Sequence, residues 1–244
     1  MIKANIAVLD SGIGGLSVLS VLNKKLFGKR FFYFGDNLNA PYGNKTLNEL
    51  RRISTNNISF LIDYNIDAIV LGCNTLSVNL LHEIEYFSGV KTFGVFPPVE
   101  YARITGGKTL LLSTVSTAGN YKASEQIFPL GLEYLARDIE KNVYDLSKID
   151  LMMHIKPHIK EKNYFDTVIL GCTHYEFIKN KIFNHLKPQK ILSGVNFTAD
   201  LVSKFFQDDK SLVKCRQNEI YFIGKNAEYN RGIFNLVVKG VLKL

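Results

Sequence analysis

The sequence predicts an α/β protein of two similar three-layer domains, each with a mainly parallel sheet and related by an internal duplication. Three observations carry this. Short apolar runs alternate with longer stretches of helical spacing, as in parallel sheets. A nine-residue pattern occurs twice: Asp67-Ala68-Ile69-Val70-Leu71-Gly72-Cys73-Asn74-Thr75 and Asp166-Thr167-Val168-Ile169-Leu170-Gly171-Cys172-Thr173-His174. The two copies lie about 100 residues apart, too far for a solenoid period and right for a duplicated domain.

Taken in order, Ile6-Ala7-Val8-Leu9 reads as a first strand ending in Asp10-Ser11-Gly12-Ile13-Gly14-Gly15. Leu16, Val18, Leu19, Leu22 and Leu26 follow at helical spacing. Phe31-Phe32-Tyr33-Phe34 is a second strand closed by Gly35-Asp36, and Pro41 and Gly43 mark a loop from Asn37 to Thr46. Leu47 to Tyr64 is a helix, Ala68 to Leu71 a strand, Leu76 to Phe87 a helix and Thr92 to Phe96 a strand. Pro97-Pro98 breaks the series. Strands then follow at Thr109 to Leu112, Thr167 to Leu170 and Ile191-Leu192, and Ile220 to Ile223 precedes a closing helix over Tyr229 to Val241. The second half has too few strands to absorb this tail. The expected first domain is therefore 1–96 plus about 195–244, and the second 97–194. Chain crossings at Phe96-Pro97-Pro98 and Ser193-Gly194 are the expected hinges.

In an open parallel sheet, ligands bind beyond the carboxyl ends of the strands. Cys73 and Cys172 each sit at such an end. Two thiols facing each other across one cleft form an acid-base pair, one on each face of a substrate, as inversion of a carbon centre requires. A following helix N-terminus is expected to lower a thiol's pKa. A lone cysteine after a strand is ordinarily a small buried hydrophobe. The repeat argues otherwise, because both cysteines stand in polar contexts, Cys-Asn-Thr and Cys-Thr-His. Cys215, between Lys214 and Arg216, has no partner motif and receives no role.

The glycine loop after the first strand offers a rival reading, a dinucleotide site with Asp36 on a ribose. Ser17 occupies the third glycine position, and Asp10 would repel a pyrophosphate. The same loop suits an amino acid, with Asp10 accepting from an ammonium and Ser11 and backbone amides holding a carboxylate. Metal binding has no support in spacing: there is no CxxC, and Pro157 separates His154 from His158, which read as solvated surface.

Composition narrows the class. Hydrophobic residues are 46% and charged residues 21% of 244, ordinary for a globular chain. No stretch approaches ~20 uninterrupted apolar residues, and the N-terminus lacks a signal peptide's pattern, so a cytoplasmic protein is expected. The net charge of +8 is scattered rather than clustered, which argues against a nucleic-acid partner. Three cysteines are too few for a disulfide framework.

The motifs together resemble those of the cofactor-independent glutamate racemases of the aspartate/glutamate racemase superfamily. They are Leu9 to Gly15, Tyr33-Phe34-Gly35-Asp36, Pro41-Tyr42-Gly43, Gly72-Cys73-Asn74-Thr75, Thr114 and Thr117, and Leu170-Gly171-Cys172-Thr173-His174, in the family's order. The histidine after Cys172-Thr173 favours the glutamate branch. The resemblance implies that Cys73 acts on the D-isomer with Asp10 assisting, and Cys172 on the L-isomer with His174 assisting. It implies a substrate pocket of Asp10, Ser11, Pro41, Tyr42, Gly43, Asn74, Thr75, Thr114, Thr117, Thr173 and His174. It implies no cofactor, glutamate as the small-molecule partner, D-glutamate for peptidoglycan, and room for a homodimer. An aspartate or other acidic amino-acid racemase on this scaffold is the alternative. Three positions depart from the family: Leu76 stands where a small alanine is usual, Pro97-Pro98 where an acidic residue often follows, and Asp145 where a further glutamate is expected. Asp145 is given no catalytic role.

Overall fold

The computed structural model describes residues 3–159, 164–206 and 217–244, so Cys215 lies outside the described residues. The first sheet begins with β1 (Asn5–Asp10), followed by helix α1 (Leu16–Lys25) and β2 (Arg30–Gly35). Helix α2 (Leu47–Ile62), β3 (Ala68–Leu71), α3 (Asn74–Ser88) and β4 (Thr92–Gly94) come next. Helix α4 (Val99–Thr105) leads to the second sheet: β5 (Thr109–Ser113), α5 (Val115–Ala118), β6 (Ile127–Gly131), α6 (Leu135–Lys141), α7 (Leu151–Ile155), β7 (Thr167–Gly171), α8 (Lys179–Leu186) and β8 (Lys190–Ser193). Helix α9 (Val195–Phe206), β9 (Glu219–Phe222) and the closing helix α10 (Ala227–Val238) end the chain.

The strands form two all-parallel sheets, in the orders β4-β3-β1-β2-β9 and β6-β5-β7-β8. Ile6 to Leu9 of β1 are fully buried, as expected for a central parallel strand covered on both faces. Their register aligns Leu9 with Phe34 on one side and with Leu71 on the other, and Asp10 with Gly35. In the second sheet Ser113 pairs with Gly171. The functional motifs therefore leave the sheets at matched heights. Local signals explain the flanking helices. Thr46 and Glu49 form a reciprocal capping box at the start of α2, and Gly89 ends α3 at a φ of 64°.

Several elements differ from the sequence expectation. Helix α3 begins at Asn74, two residues early, so Cys73 is its N-cap residue. Strand β4 stops at Gly94, where Asn74 takes the Val95 carbonyl (2.9 Å) and the Val95 N–H is shared between Leu71 of β3 (3.3 Å) and the Ser77 hydroxyl (2.9 Å). The edge strand β6 goes unread in the sequence because Pro129 lies in its middle, tolerable only at an edge. Leu76 is fully buried and fills the core beside Cys73. His154 is not solvated surface: it is half-buried against Asp138, at 3.3 Å. The two chain crossings meet, since a Cβ on Gly194 would strike the Phe96 carbonyl. Among the described residues, no helix is long and apolar enough to cross a membrane.

Candidate active site

The loop from β1 to α1 is shaped by close approach rather than by an unusual backbone. A Cβ on Gly12 would lie 2.5 Å from the Glu140 carboxylate, and one on Gly14 would lie 2.5 Å from both His174 and Thr173. One on Gly15 would lie 2.6 Å from Asp10. The glycines thus let carboxylates and an imidazole press against the backbone. A bound pyrophosphate has no place on that face, which removes the dinucleotide reading. Asp36 is likewise committed: it accepts from the Tyr42 hydroxyl (2.7 Å), Asn57 (3.1 Å) and Asn39 (2.9 Å).

Asp10 is fully buried and accepts from the Gly12 N–H at 2.8 Å. Thr173, from the other sheet, donates to its second oxygen at 3.4 Å. Burial, aided by the Glu140 charge, holds the Asp10 carboxyl above the usual carboxylate range even though His174 and the loop amides oppose the shift. Cys73 is buried close enough to Asp10 to feel its charge. Burial and then the Asp10 charge push the Cys73 thiol up to about 12. This corrects the expectation of a lowered thiol: a helix N-terminus offers only ~0.3–1 kcal/mol, less than desolvation removes.

On the opposite side, Cys172 Sγ lies 3.9 Å from His174 Nδ1. His174 Nε2 lies 2.6 Å from Glu140 Oε2, with both side chains nearly buried. Burial opposes an imidazolium here, but the hydrogen bonds to Cys172 and Glu140 outweigh it and raise His174 well above its ordinary value. Burial likewise disfavours ionised Glu140, and His174, the Ile13 N–H and Asn37 together overcome it and hold Glu140 below its ordinary value. A short 3-10 segment, Thr173–Ile178, follows Cys172 where an α-helix was expected. Cys172 lies near enough to Cys73 for a charge on one thiol to disfavour a charge on the other.

A third cluster closes the site. Thr75 Oγ1 lies 3.1 Å from Thr114 Oγ1 and 3.4 Å from Thr117 Oγ1, joining α3 to the β5–α5 turn. Thr114 also caps α5. Gly43 packs so closely on Thr114 that a Cβ would collide with it, and the neighbouring Tyr42 is anchored by its hydroxyl to Asp36. Asn74 is buried and its Oδ1 has no partner.

The structure thus brings Asp10, Ser11, Cys73, Asn74, Thr75, Thr114, Thr117, Cys172, Thr173 and His174 to facing ends of the two sheets. Pro41, Tyr42 and Gly43 form the adjoining loop. Sequence reasoning missed Glu140. The acid beside the second cysteine motif is Glu140 of α6, whereas Asp145 is an exposed residue bonded to Ser147. Among the described residues, no three His, Cys, Asp or Glu side chains are grouped to hold a metal ion.

No family model matches the chain. It is 32% identical to the glutamate racemase of Clostridium novyi (strain NT), over 74% of each chain. It is 30% identical to that of Desulforudis audaxviator (strain MP104C), over 96% of this chain and 93% of the relative. The crystal structure of glutamate racemase from Thermus thermophilus in complex with beta-chloro-D-alanine superposes with a TM-score of 0.77 at 28% identity, covering 96% of this chain and 92% of that one. With relatives this similar over most of their length, the chain belongs to the glutamate racemase family.

Proposed function

We propose that the protein interconverts L- and D-glutamate by moving the α-proton between two thiols, without a cofactor. The observation that carries this is the pairing of each thiol with its own proton partner: Cys73 with Asp10, and Cys172 with the His174–Glu140 pair. In the L-to-D direction Cys172 takes the α-proton, and His174, held protonated by Glu140, balances the charge. Cys73, a neutral thiol in its buried setting, gives its proton to the opposite face of the carbanion and is left as thiolate. In the reverse direction Cys73 must first lose its proton. Asp10 suits that task, because burial makes it a better proton acceptor than a surface aspartate.

The polar residues around the thiols suit a zwitterionic amino acid. The unpartnered Asn74 Oδ1 is an acceptor for the ammonium, as buried polar atoms require partners. Ser11 and the hydroxyls of Thr75, Thr114, Thr117 and Thr173 supply donors for carboxylates, with the Pro41-Tyr42-Gly43 loop enclosing the side chain. D-glutamate made this way feeds peptidoglycan, and a cytoplasmic location goes with that role. The test is to incubate purified protein with L-glutamate or L-aspartate without added cofactor and resolve the enantiomers by chiral chromatography. D-glutamate formation with aspartate poorly used is expected. Aspartate preference would reassign the substrate, and inactivity on both would overturn the reading.

A further inference from the structure

Behind Glu140 a line of amides runs to the far end of the chain. The Asn37 Nδ2 donates to Glu140 Oε1, while the Asn230 Nδ2 of α10 donates to Asn37 Oδ1 at 3.1 Å. Glu140 Oε2 is taken by His174 and by the Ile13 N–H at 3.1 Å. Asn37 is thus the partner of the carboxylate oxygen that faces away from His174. Its orientation has no freedom: a carboxylate needs the amide's N–H end, and Asn230 needs its carbonyl end.

Asn230 is the one polar residue on the buried face of α10, which it shares with Ile233, Phe234 and Val237. Its own Oδ1 has no partner. Room for its amide comes from Gly35, where a Cβ would lie 2.7 Å from Asn230 Nδ2. A residue needed only for packing would avoid that unmet carbonyl, since an apolar side chain of similar shape loses nothing. The amide earns its place by fixing Asn37.

We infer that Asn37, braced by Asn230, is a positioning residue for the second thiol: it fixes the Glu140 carboxylate against His174 and so couples the closing helix to the chemistry at Cys172. The inference rests on the two-thiol reading above. Asn37 itself touches neither thiol, and acts through Glu140 and His174. A cation beside a thiol favours the thiolate, so a loosened His174 leaves Cys172 less reactive. Cys73, on the other side, is an internal reference.

The experiment compares wild type, Asn37→Ala and Asn230→Ala, with melting curves to establish folding. Iodoacetamide labelling of the free enzyme at one pH is read by mass spectrometry as the ratio of Cys172 to Cys73 modification. That ratio is expected to fall about threefold or more in Asn37→Ala and less in Asn230→Ala. In turnover, kcat should fall about tenfold with KM little changed. The primary isotope effect should rise for 2-deuterated L-glutamate and fall for the D-isomer, because the step at Cys172 becomes the slower one. An unchanged labelling ratio in the folded variants overturns the inference, as does a loss of kcat with unaltered isotope effects. Should Asn37→Ala not fold, Asn230→Ala decides by the same readouts. Labelling needs no substrate, so failure of the wild type to racemise glutamate would count against the proposed function and leave this test intact.

Discussion

His174 Nε2 and Glu140 Oε2 stand 2.6 Å apart, joining the 3-10 segment after β7 to helix α6. This contact sets the charge next to Cys172. Both groups favour their ionised forms in the folded protein, Glu140 being held below and His174 above its ordinary value.

Glu140→Gln is therefore expected to lower kcat by roughly 10²-fold, since a neutral amide cannot hold the imidazolium. Stability should follow pH with a defined sign. The depressed Glu140 contributes stability that is present above its unfolded pKa and lost as pH falls through the folded value. The raised His174 contributes stability that is present below its unfolded pKa and lost as pH rises through the folded value. Wild type should exceed the variant in melting temperature most between about pH 4.3 and 6.5, the unfolded values, with the gap closing in acid and in alkali. A gap independent of pH would show that the pair is not ionised.

Asp10→Asn should separate stability from activity. A folded pKa raised above the unfolded one means that ionised Asp10 costs stability as pH rises past its unfolded value. Asparagine keeps the acceptor for the Gly12 N–H and removes the charge. Its melting temperature should rise by about 2–4 °C near neutrality and be unchanged in acid, while turnover from D-glutamate falls sharply. A lower melting temperature at pH 7 would contradict this.

Gly14→Ala introduces a methyl against His174 Nδ1 and Thr173. The expected cost is ~1–3 kcal/mol in denaturant unfolding, because neither neighbour can withdraw from a packed site. Activity should fall further than stability, since the displaced ring is the partner of Cys172. Gly119→Ala, whose nearest contacts lie at 3.6 Å and beyond, is the matched control and should retain near-normal activity.

Cys73→Ser and Cys172→Ser should each abolish racemisation with folding retained. A hydroxyl is too weakly acidic to replace either thiol, and loss of an acid or base costs roughly 10²–10⁴-fold. Circular dichroism checks the fold and chiral chromatography the activity. Near-normal turnover in either variant would show that one thiol suffices.

The two strand-end motifs were legible in the sequence because a repeat of Asp, Leu, Gly and Cys fixes both the strand and where it ends. Glu140 was not. It lies in a seven-residue helix beside Asp138 and Lys141, a setting that reads as a solvated face, and only folding turns it toward the glycine loop. Asn37 was hidden similarly, as one polar residue in a polar loop. The thiol shift was misjudged because local helix geometry can be read from sequence, whereas burial at the junction of two sheets cannot.

The central claim is that two different groups handle the α-proton on opposite faces. The direct measurement is deuterium incorporation from L-glutamate in deuterated water at low conversion, with the enantiomers separated before mass spectrometry. The account predicts one deuterium at the α-carbon of the D-glutamate formed and none in the recovered L-glutamate. D-glutamate that retains the original proton, or equal labelling of both enantiomers, would mean that a single base serves both faces, and would contradict it.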